Sequence, residues 1–170
     1  MALGKIIKKT YLSISKGQIM ATKEGEKEYY TYVEGDLEDI YTKERSFNGQ
    51  TAKFWYIDLR DGEDLYSLCI PYESGVYLSI CLSLGSIDDY SQGRFIRIEP
   101  YIAQEKTKVR VFHEGVSLSW VTTDLPPVEE VTVGTRRIKN TSKRLAYLEY
   151  VTEVIKDTLR KTSPKISYNE

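Results

Sequence analysis

The stretch KFWYIDLR at residues 53–60, followed by Asp61-Gly62 and by LYSLCI at residues 65–70, decides the fold. Every second residue from Trp55 to Leu59 is apolar, and a period of two is typical of a strand that buries one face. Asp-Gly favours a two-residue hairpin turn. The stretch therefore predicts an antiparallel hairpin whose Trp55 face packs into a core.

Similar patterns precede this hairpin. Tyr11–Thr22 alternates as a strand, with Gly17 predicted as a bulge or bend, and the charged run Lys23–Glu28 is predicted as a loop. Tyr29–Tyr41 is predicted as the next strand. Asn48-Gly49 is a strong turn signal, because both residues tolerate a positive φ.

The second half of the chain alternates between strands and helices. Ser74–Ile87 has apolar residues at helical spacing behind a capping serine, so it predicts a short helix. Arg94–Glu99 is predicted as a strand closed by Pro100, Val109 and Val111 mark another strand, and Val116–Trp120 returns beside it. The prediction is six or seven strands with one inserted helix.

The domain organisation follows from this pattern. The sequence predicts a β-barrel domain over residues 1–122, a linker or extended arm over 123–141, an amphipathic helix over 142–161 and a flexible tail over 162–170. The helix is expected either to pack on the β domain or to pair between subunits. A chain of 170 residues fits one domain with a substantial core.

Composition limits the function. The net charge is −1, which argues against a simple cationic nucleic-acid binder. Residues 1–122 carry 15 basic and 18 acidic side chains, whereas residues 123–170 carry 9 and 7. Between Val131 and Leu148 the chain carries five cations and no acid: Arg136, Arg137, Lys139, Lys143 and Arg144. A short basic segment therefore joins the two parts.

Cysteine usage and the N-terminus indicate the compartment. Cys69 and Cys81 lie in no metal-binding or redox spacing, so two buried reduced thiols are expected. Residues 1–10 lack the apolar core of a signal peptide, and no run is long enough to span a bilayer. The expectation is a cytoplasmic protein that binds no membrane.

Residues that could carry out catalysis are sparse. His113 is the single histidine, which leaves Ser-His-Asp and Cys-His arrangements without a convincing assembly. No phosphate-binding glycine motif occurs. The acidic group Asp58, Asp61, Glu63 and Asp64 has oxygen ligands for a hard cation but not the spacing of a calcium loop, so an acidic turn is the default. The sequence predicts no catalytic residue, metal or cofactor.

Aromatic and cationic side chains are interleaved along the strands, and fourteen tyrosines add to this pattern. Bases stack on rings while lysine and arginine neutralise phosphates, which is the chemistry of a single-stranded nucleic-acid groove. The alternative for each ring is a core position, since tyrosine suits half-buried strands. The candidate nucleic-acid-binding residues are Tyr30, Tyr32, Lys53, Phe54, Tyr56, Arg60, Arg94, Arg97, Tyr101, Lys108 and Arg110.

Several short motifs within residues 10–120 carry a family resemblance. They are Gly17-Gln18-Ile19, Gly35-x-Leu37, Asn48-Gly49, Trp55-x-Ile57-x-Leu59-x-Asp61-Gly62, Tyr66-x-Leu68, Ile98-x-Pro100-Tyr101 and Trp120. Together they resemble OB-fold single-stranded DNA-binding proteins of bacteriophages. The resemblance implies a small five-stranded barrel whose second and third strands grip DNA. It also implies partners in replication, although the acidic tail that often recruits them is missing from Pro164–Glu170.

Three functions remain open at this point. The first is non-enzymatic binding of single-stranded DNA, or of RNA, in replication or recombination. The second is a structural or adaptor β domain, such as a component of a phage particle, that binds protein through a tyrosine-rich face. The third is a divalent-metal nuclease that uses the acidic turn. The C-terminal helix adds the expectation of a homo-oligomer.

Overall fold

The computed structural model describes residues 8–120 and 125–161. Its first nine strands are β1 (Lys9–Ser15), β2 (Gln18–Lys23), β3 (Glu26–Tyr30), β4 (Val33–Phe47), β5 (Gln50–Asp61), β6 (Asp64–Pro71), β7 (Phe95–Ala103), β8 (Lys106–His113) and β9 (Val116–Ser117). The remaining elements are the helix α1 (Gly75–Leu84), between β6 and β7, and then β10 (Glu129–Val133), β11 (Arg136–Asn140) and the helix α2 (Ser142–Lys161).

The fold is mainly β, as predicted. Nine strands form one sheet in the order β3-β2-β1-β6-β5-β4-β7-β8-β9, and all neighbours are antiparallel except β1 and β6, which run parallel. Within the described residues the hydrogen-bonded ladder is not closed, so the predicted barrel is not what the pairing shows. Its two edge strands, β3 and β9, do not pair with each other.

The sheet nevertheless curls on itself. The turn between β1 and β2 reaches the strands β7 and β8, where the Gly17 backbone N–H donates to Thr107 Oγ1 at 3.2 Å. A Cβ atom at Gly17 would lie 2.6 Å from Ile102 Cγ1, so only glycine allows this approach. The register shift between Leu37 and Asp39 adds a bulge that bends β4.

Two turn predictions before residue 30 are wrong. Lys16-Gly17 is a two-residue hairpin turn with φ values of 50° and 76°, rather than a bulge within one strand. Glu24-Gly25 makes a second such turn, with φ values of 51° and 81°, inside the run predicted as a loop. In both turns glycine occupies one of two left-handed positions, but the first residue is neither Asn nor Asp, so the usual hairpin signal is missing.

Other strand boundaries also differ from the prediction. Residues 31–32 separate β3 from β4, and β4 then runs on to Phe47. Pro100 does not close β7, which continues to Ala103, and β9 covers only Val116–Ser117. The turn at Asn48-Gly49 lies where it was predicted. The turn predicted at Asp61-Gly62 lies one residue later, at Gly62-Glu63, because Asp61 still pairs with Asp64.

The core lies on one face of the sheet, under the two helices, and Trp55 is at its centre. As the alternation predicted, Trp55, Ile57 and Leu59 are at most 2% exposed. The Trp55 ring stacks on Tyr77 of α1 at 4.0 Å between centroids and on Tyr72 at 5.3 Å. Its Nε1–H donates to the Tyr72 carbonyl at 3.2 Å. The indole ring is therefore packed against two aromatic rings, and its N–H has a hydrogen-bond acceptor.

Helix α1 confirms the predicted insertion, with somewhat tighter bounds. Ser74 is its N-cap, and the Ser74 hydroxyl accepts a hydrogen bond from the Val76 N–H at 3.2 Å. The helix carries buried residues on nearly all sides because β8 and α2 both pack against it.

Helix α2 has the predicted bounds, but its cap differs. The Asn140 carboxamide oxygen accepts from the Ser142 N–H at 3.1 Å, so the capping side chain lies before Ser142. From the predicted apolar stripe Leu148, Val151, Ile155 and Leu159 are buried, and α2 packs on α1 and β4 of its own chain. Of the two predicted roles for this helix, the structure shows packing on the β domain.

The described part of the predicted linker contains a β-hairpin. Strands β10 and β11 pair with each other and with no other strand of the described residues. Glu129–Val133 has only two alternating apolar residues, Val131 and Val133, which is too few to predict a strand after Pro126-Pro127. The predicted tail over residues 162–170 lies outside the described residues.

Both cysteines are buried free thiols, as expected. Cys81 of α1 lies beside Thr152 of α2, with Sγ 3.7 Å from Oγ1, and the Tyr77 hydroxyl is 2.6 Å from the same Oγ1. Burial raises the pKa of the Cys81 thiol from its ordinary value of 9.0 to about 11. This polar cluster joins the two helices.

Replacing both Leu148 and Ile155 with Lys should release α2 from the β domain. Truncating one such buried side chain to alanine already costs about 2–5 kcal/mol, and burying two ammonium groups costs more. We expect a lower melting temperature and a larger hydrodynamic radius. The matched control is Tyr150→Lys with Val154→Lys on the exposed face of the same helix, where the two side chains are 66% and 41% exposed. Equal effects of both pairs would contradict the observed packing of α2.

The Cys81 pKa predicts a loss of stability in alkali. Because the folded-state pKa is raised, the unfolded thiol ionises first, and the stabilisation present below pH 9 is lost as the pH rises towards about 11. A shift of this size corresponds to at most about 2–3 kcal/mol. Urea unfolding at several pH values should show a shallower alkaline decline for Cys81→Ala than for the wild type. Identical slopes would mean that this thiol does not titrate differently on unfolding.

Candidate nucleic-acid interface

The outer face of the sheet, opposite the helices, carries rings and cations on the strands β1, β4 and β5. Tyr41 of β4 lies opposite Tyr56 of β5, and Lys43 lies opposite Phe54. Since alternate residues of a strand share a face, Arg45 and Tyr11 belong to the same surface. We call this surface the tyrosine groove, defined by Lys9, Tyr11, Tyr41, Lys43, Arg45, Phe54 and Tyr56.

The rings of the tyrosine groove support one another. Tyr56 is only 4% exposed, lies parallel to Tyr41 at 5.4 Å and meets the edge of Tyr11 at 6.3 Å. Burial raises the pKa of the Tyr56 phenol. Tyr11 is 56% exposed, so its ring is open to solvent. Tyr56 therefore serves as the wall behind Tyr11 rather than as the exposed ring that was predicted.

The cations of the groove differ in whether a carboxylate pairs with them. Lys9 Nζ donates to Tyr41 Oη at 2.8 Å and to Asp58 Oδ2 at 3.1 Å. The hydrogen bond to Tyr41, and then Asp58, raise the Lys9 pKa, so this ammonium is held in place as a charged group.

Lys43 and Arg45 are held only by rings and a thiol. Lys43 Nζ lies 5.2 Å from the Tyr41 ring centre, and Arg45 Cζ lies 5.7 Å from that of Phe54. Arg45 Nη1 also donates to Cys69 Sγ at 3.8 Å. Neither forms an ion pair with an acid among residues 8–120 and 125–161. Their charge is available to a ligand.

An open hollow of about 600 Å³ occupies the groove between β2 and β4. Lys9, Lys23 and Arg45 line it together with Tyr11 and Phe54, and no carboxylate is among the described residues that line it. A polyanion can therefore approach without meeting like charge.

A second set of predicted residues lies together on β7 and β8. Arg97 Cζ lies 4.0 Å from the Tyr32 ring centre, and Arg110 Cζ lies 4.4 Å from that of Tyr101. Lys108 is directly opposite Tyr101. We call these five residues the β7–β8 face. The Glu34 carboxylate accepts from Arg97 Nε at 2.8 Å, so part of its charge is already neutralised.

Acidic side chains separate these two surfaces along β4. Asp36 lies between them, and its pKa is raised by burial and then by the charges of Glu114 and Glu38. Arg60, which was predicted to bind nucleic acid, instead donates to Glu38 at 2.8 Å. The eleven predicted residues therefore do not share one continuous trough.

The remaining predicted residues have other surroundings. Lys53 faces the helices, 3.6 Å from Glu149 and over the ring of Tyr72. Arg94 Nη2 donates to the Leu159 carbonyl at 2.8 Å, at the negative end of the α2 dipole. Tyr30 donates to Glu28 and lines a different opening. Lys53 and Arg94 thus hold helix α2 rather than line the groove.

The prediction missed Lys9, Tyr11, Tyr41, Lys43 and Arg45. A local signal for three of them exists, because Tyr41-x-Lys43-x-Arg45 places a ring and two cations on one strand face. It was overlooked because the strand was expected to end at Tyr41. No local signal exists for Lys9 and Tyr11, since their strand joins the groove through parallel pairing with β6.

The acidic turn does not gather into a metal site. Asp58 is bound by Lys9 and Tyr41, away from the turn between β5 and β6. In the part of the chain that the structure describes, no three His, Cys, Asp or Glu side chains are grouped so that they could hold a metal ion. Neither of the two described helices is long and apolar enough to cross a membrane.

The chain was compared with known proteins in three ways. No protein-family model, curated protein or solved structure matches it.

Proposed function

We propose that the chain is a non-enzymatic single-stranded DNA-binding protein of replication or recombination, and that the tyrosine groove binds the strand. The observation that carries this proposal is the hollow of the groove, whose described lining includes no carboxylate. The exposed Tyr11 ring lies there near Lys43 and Arg45, which pair with no acid among the described residues. Such a surface stacks bases and neutralises phosphates without reading a sequence.

The strand connectivity supports the proposal that the β domain has an OB-like arrangement. Strands β4, β5 and β6 follow one another as hairpins, and β7 returns through α1 to pair beside β4. This order is a Greek key, and β8 completes five strands. An OB-fold is a partly open five-stranded Greek-key barrel that binds oligonucleotides on its second and third strands. On this proposal the corresponding strands are β5 and β6, and both contribute to the groove: Phe54 and Tyr56 from β5, and Cys69 and Pro71 from β6.

The distribution of charge explains how a chain of net charge −1 can bind a polyanion. Acids are concentrated around Asp36 and at the turn between β5 and β6, while the groove carries cations. Because the Debye length is about 8 Å at physiological salt, a phosphate in the groove is influenced mainly by groove charges. The local field therefore outweighs the net charge.

The first test removes the two free cations of the groove. Lys43→Ala with Arg45→Ala should weaken binding of a fluorescent oligothymidine, and the slope of log K against log salt should fall by about 1.4 if both contact phosphates. The matched control is Lys108→Ala with Arg110→Ala, which removes the same charge from the β7–β8 face. Fluorescence anisotropy at several salt concentrations measures both.

Each outcome of this test points to one surface or function. A larger loss for the control pair would move the site to the β7–β8 face. No binding by the folded wild type at low salt would reject nucleic-acid binding and favour the adaptor function through a tyrosine-rich face. Competition by oligouridine as strong as by oligothymidine would extend the ligand to RNA.

The second test concerns the exposed ring. A base stacked on an aromatic side chain contributes about 1–3 kcal/mol, so Tyr11→Ala should weaken binding roughly 5- to 100-fold, and Tyr11→Trp should retain it. Tyr150→Ala on α2, whose ring is 66% exposed, is the control and should bind as the wild type does. Unchanged affinity for Tyr11→Ala would show that no base stacks there.

A further inference from the structure

The β10–β11 hairpin is exposed on both faces within the described residues. All ten of its strand residues are exposed, and its strands pair only with each other among the described residues. An isolated two-stranded hairpin is marginally stable in water. Its base is fixed to α2, because Lys143 Nζ lies 2.7 Å from Glu129 and Arg144 Nε donates to the Pro126 carbonyl. The hairpin is thus presented at the surface.

One face of this hairpin carries an apolar strip and one cation. Val131 pairs opposite Ile138, and these side chains are 45% and 50% exposed. Val133, on the same face, is 59% exposed and pairs opposite Arg136, which forms no ion pair among the described residues. Lys139 lies on the other face, opposite Glu130. The hairpin therefore offers an uncovered apolar strip with one positive charge beside it.

A second opening of the molecule has the complementary character. We call it the tyrosine mouth, a hollow of about 540 Å³ whose rim carries Tyr30, Tyr32 and Tyr66 and whose floor is formed by buried apolar side chains such as Leu12 and Ile19. This opening lies on the concave side of the sheet, between β2 and the beginning of β4.

The rim of the mouth is negative. Asp61 and Asp64 line it and form no ion pair within the described residues. The Tyr66 pKa is raised by burial and then by these two carboxylates, which is consistent with a negative field. The neighbouring rings already attract cations, since Lys23 lies 6.0 Å from the centre of Tyr30 and Arg97 4.0 Å from that of Tyr32.

We propose that the β10–β11 hairpin of one copy docks into the tyrosine mouth of a second copy of this chain. The apolar strip around Ile138 would cover the floor and the tyrosine rings, while Arg136, which lies on the same face as this strip, would meet Asp61 and Asp64. The unpaired edge of β3, Glu26–Tyr30, lies beside the mouth and offers backbone groups for strand addition.

The second copy is the chosen occupant because both complementary surfaces belong to the same chain and are therefore present in equal amounts. Such a contact is heterologous, so copies join head to tail rather than about a two-fold axis. The proposal does not depend on DNA binding, and its test contains no nucleic acid.

Two variants test the contact. The hairpin variant is Arg136→Ser with Ile138→Ser, and the mouth variant is Asp61→Lys with Asp64→Lys. Sedimentation velocity of the wild type should show a mass that rises with concentration and falls with added salt, because salt screens the ion pairs. Each variant alone should remain monomeric.

Mixing the two variants gives the decisive result. The hairpin variant keeps an intact mouth and the mouth variant keeps an intact hairpin, so the mixture should form a one-to-one dimer that does not grow further. The control pair Lys106→Ser with Lys108→Ser on β8 should associate as the wild type does.

Four outcomes would overturn the proposal: a monomeric wild type at the highest soluble concentration, either variant alone associating like the wild type, loss of association in the control pair, or a mixture that stays monomeric while the wild type associates. Melting temperatures of both variants establish that each is folded, since all four substituted side chains are exposed.

Discussion

The stacking of Trp55 between Tyr77 and Tyr72 is the contact on which the rest of the structure depends. Trp55 belongs to the central strand β5, and Tyr77 belongs to α1 and reaches Thr152 of α2 through its hydroxyl. One line of contacts therefore fixes both helices to one face of the sheet. Because the core and both helices occupy that face around Trp55, the tyrosine groove lies on the other face.

The outer face of the sheet also contains buried side chains. Parallel pairing of β1 with β6 brings Lys9 and Tyr11 over β5, where they cover Asp58 and Tyr56. These last two side chains are 6% and 4% exposed although they point away from the helices. The added strand thus makes a second, smaller packed layer. Its rings are held rigid, which lowers the entropy that a bound strand would otherwise cost.

Local patterns predicted the elements whose signals are local. The Asn48-Gly49 turn, the hairpin between β5 and β6 to within one residue, the buried phase of Trp55, the cap at Ser74 and the bounds of α2 all follow from neighbouring residues. The turns at Lys16-Gly17 and Glu24-Gly25 lack Asn or Asp at the first position. The pairing of β1 with β6 joins residues more than fifty positions apart, and no period within one strand encodes it. The grouping of the site residues depends on that pairing. The alternation within β5 therefore predicts which face of the strand carries Tyr56, but it cannot predict that Tyr11 lies over that ring.

Opposite charges on separate surfaces reconcile a net charge of −1 with the proposed polyanionic ligand. The tyrosine groove is lined by cations, and the tyrosine mouth is lined by Asp61 and Asp64, on the concave side of the same sheet. Were the acids removed, the net charge would favour DNA everywhere on the surface, and the strand would not be confined to the rings. Acids outside the groove repel phosphates from unproductive positions, as like charges do at other interfaces. The acidic residues therefore contribute to where a strand would bind, although none of them would touch it.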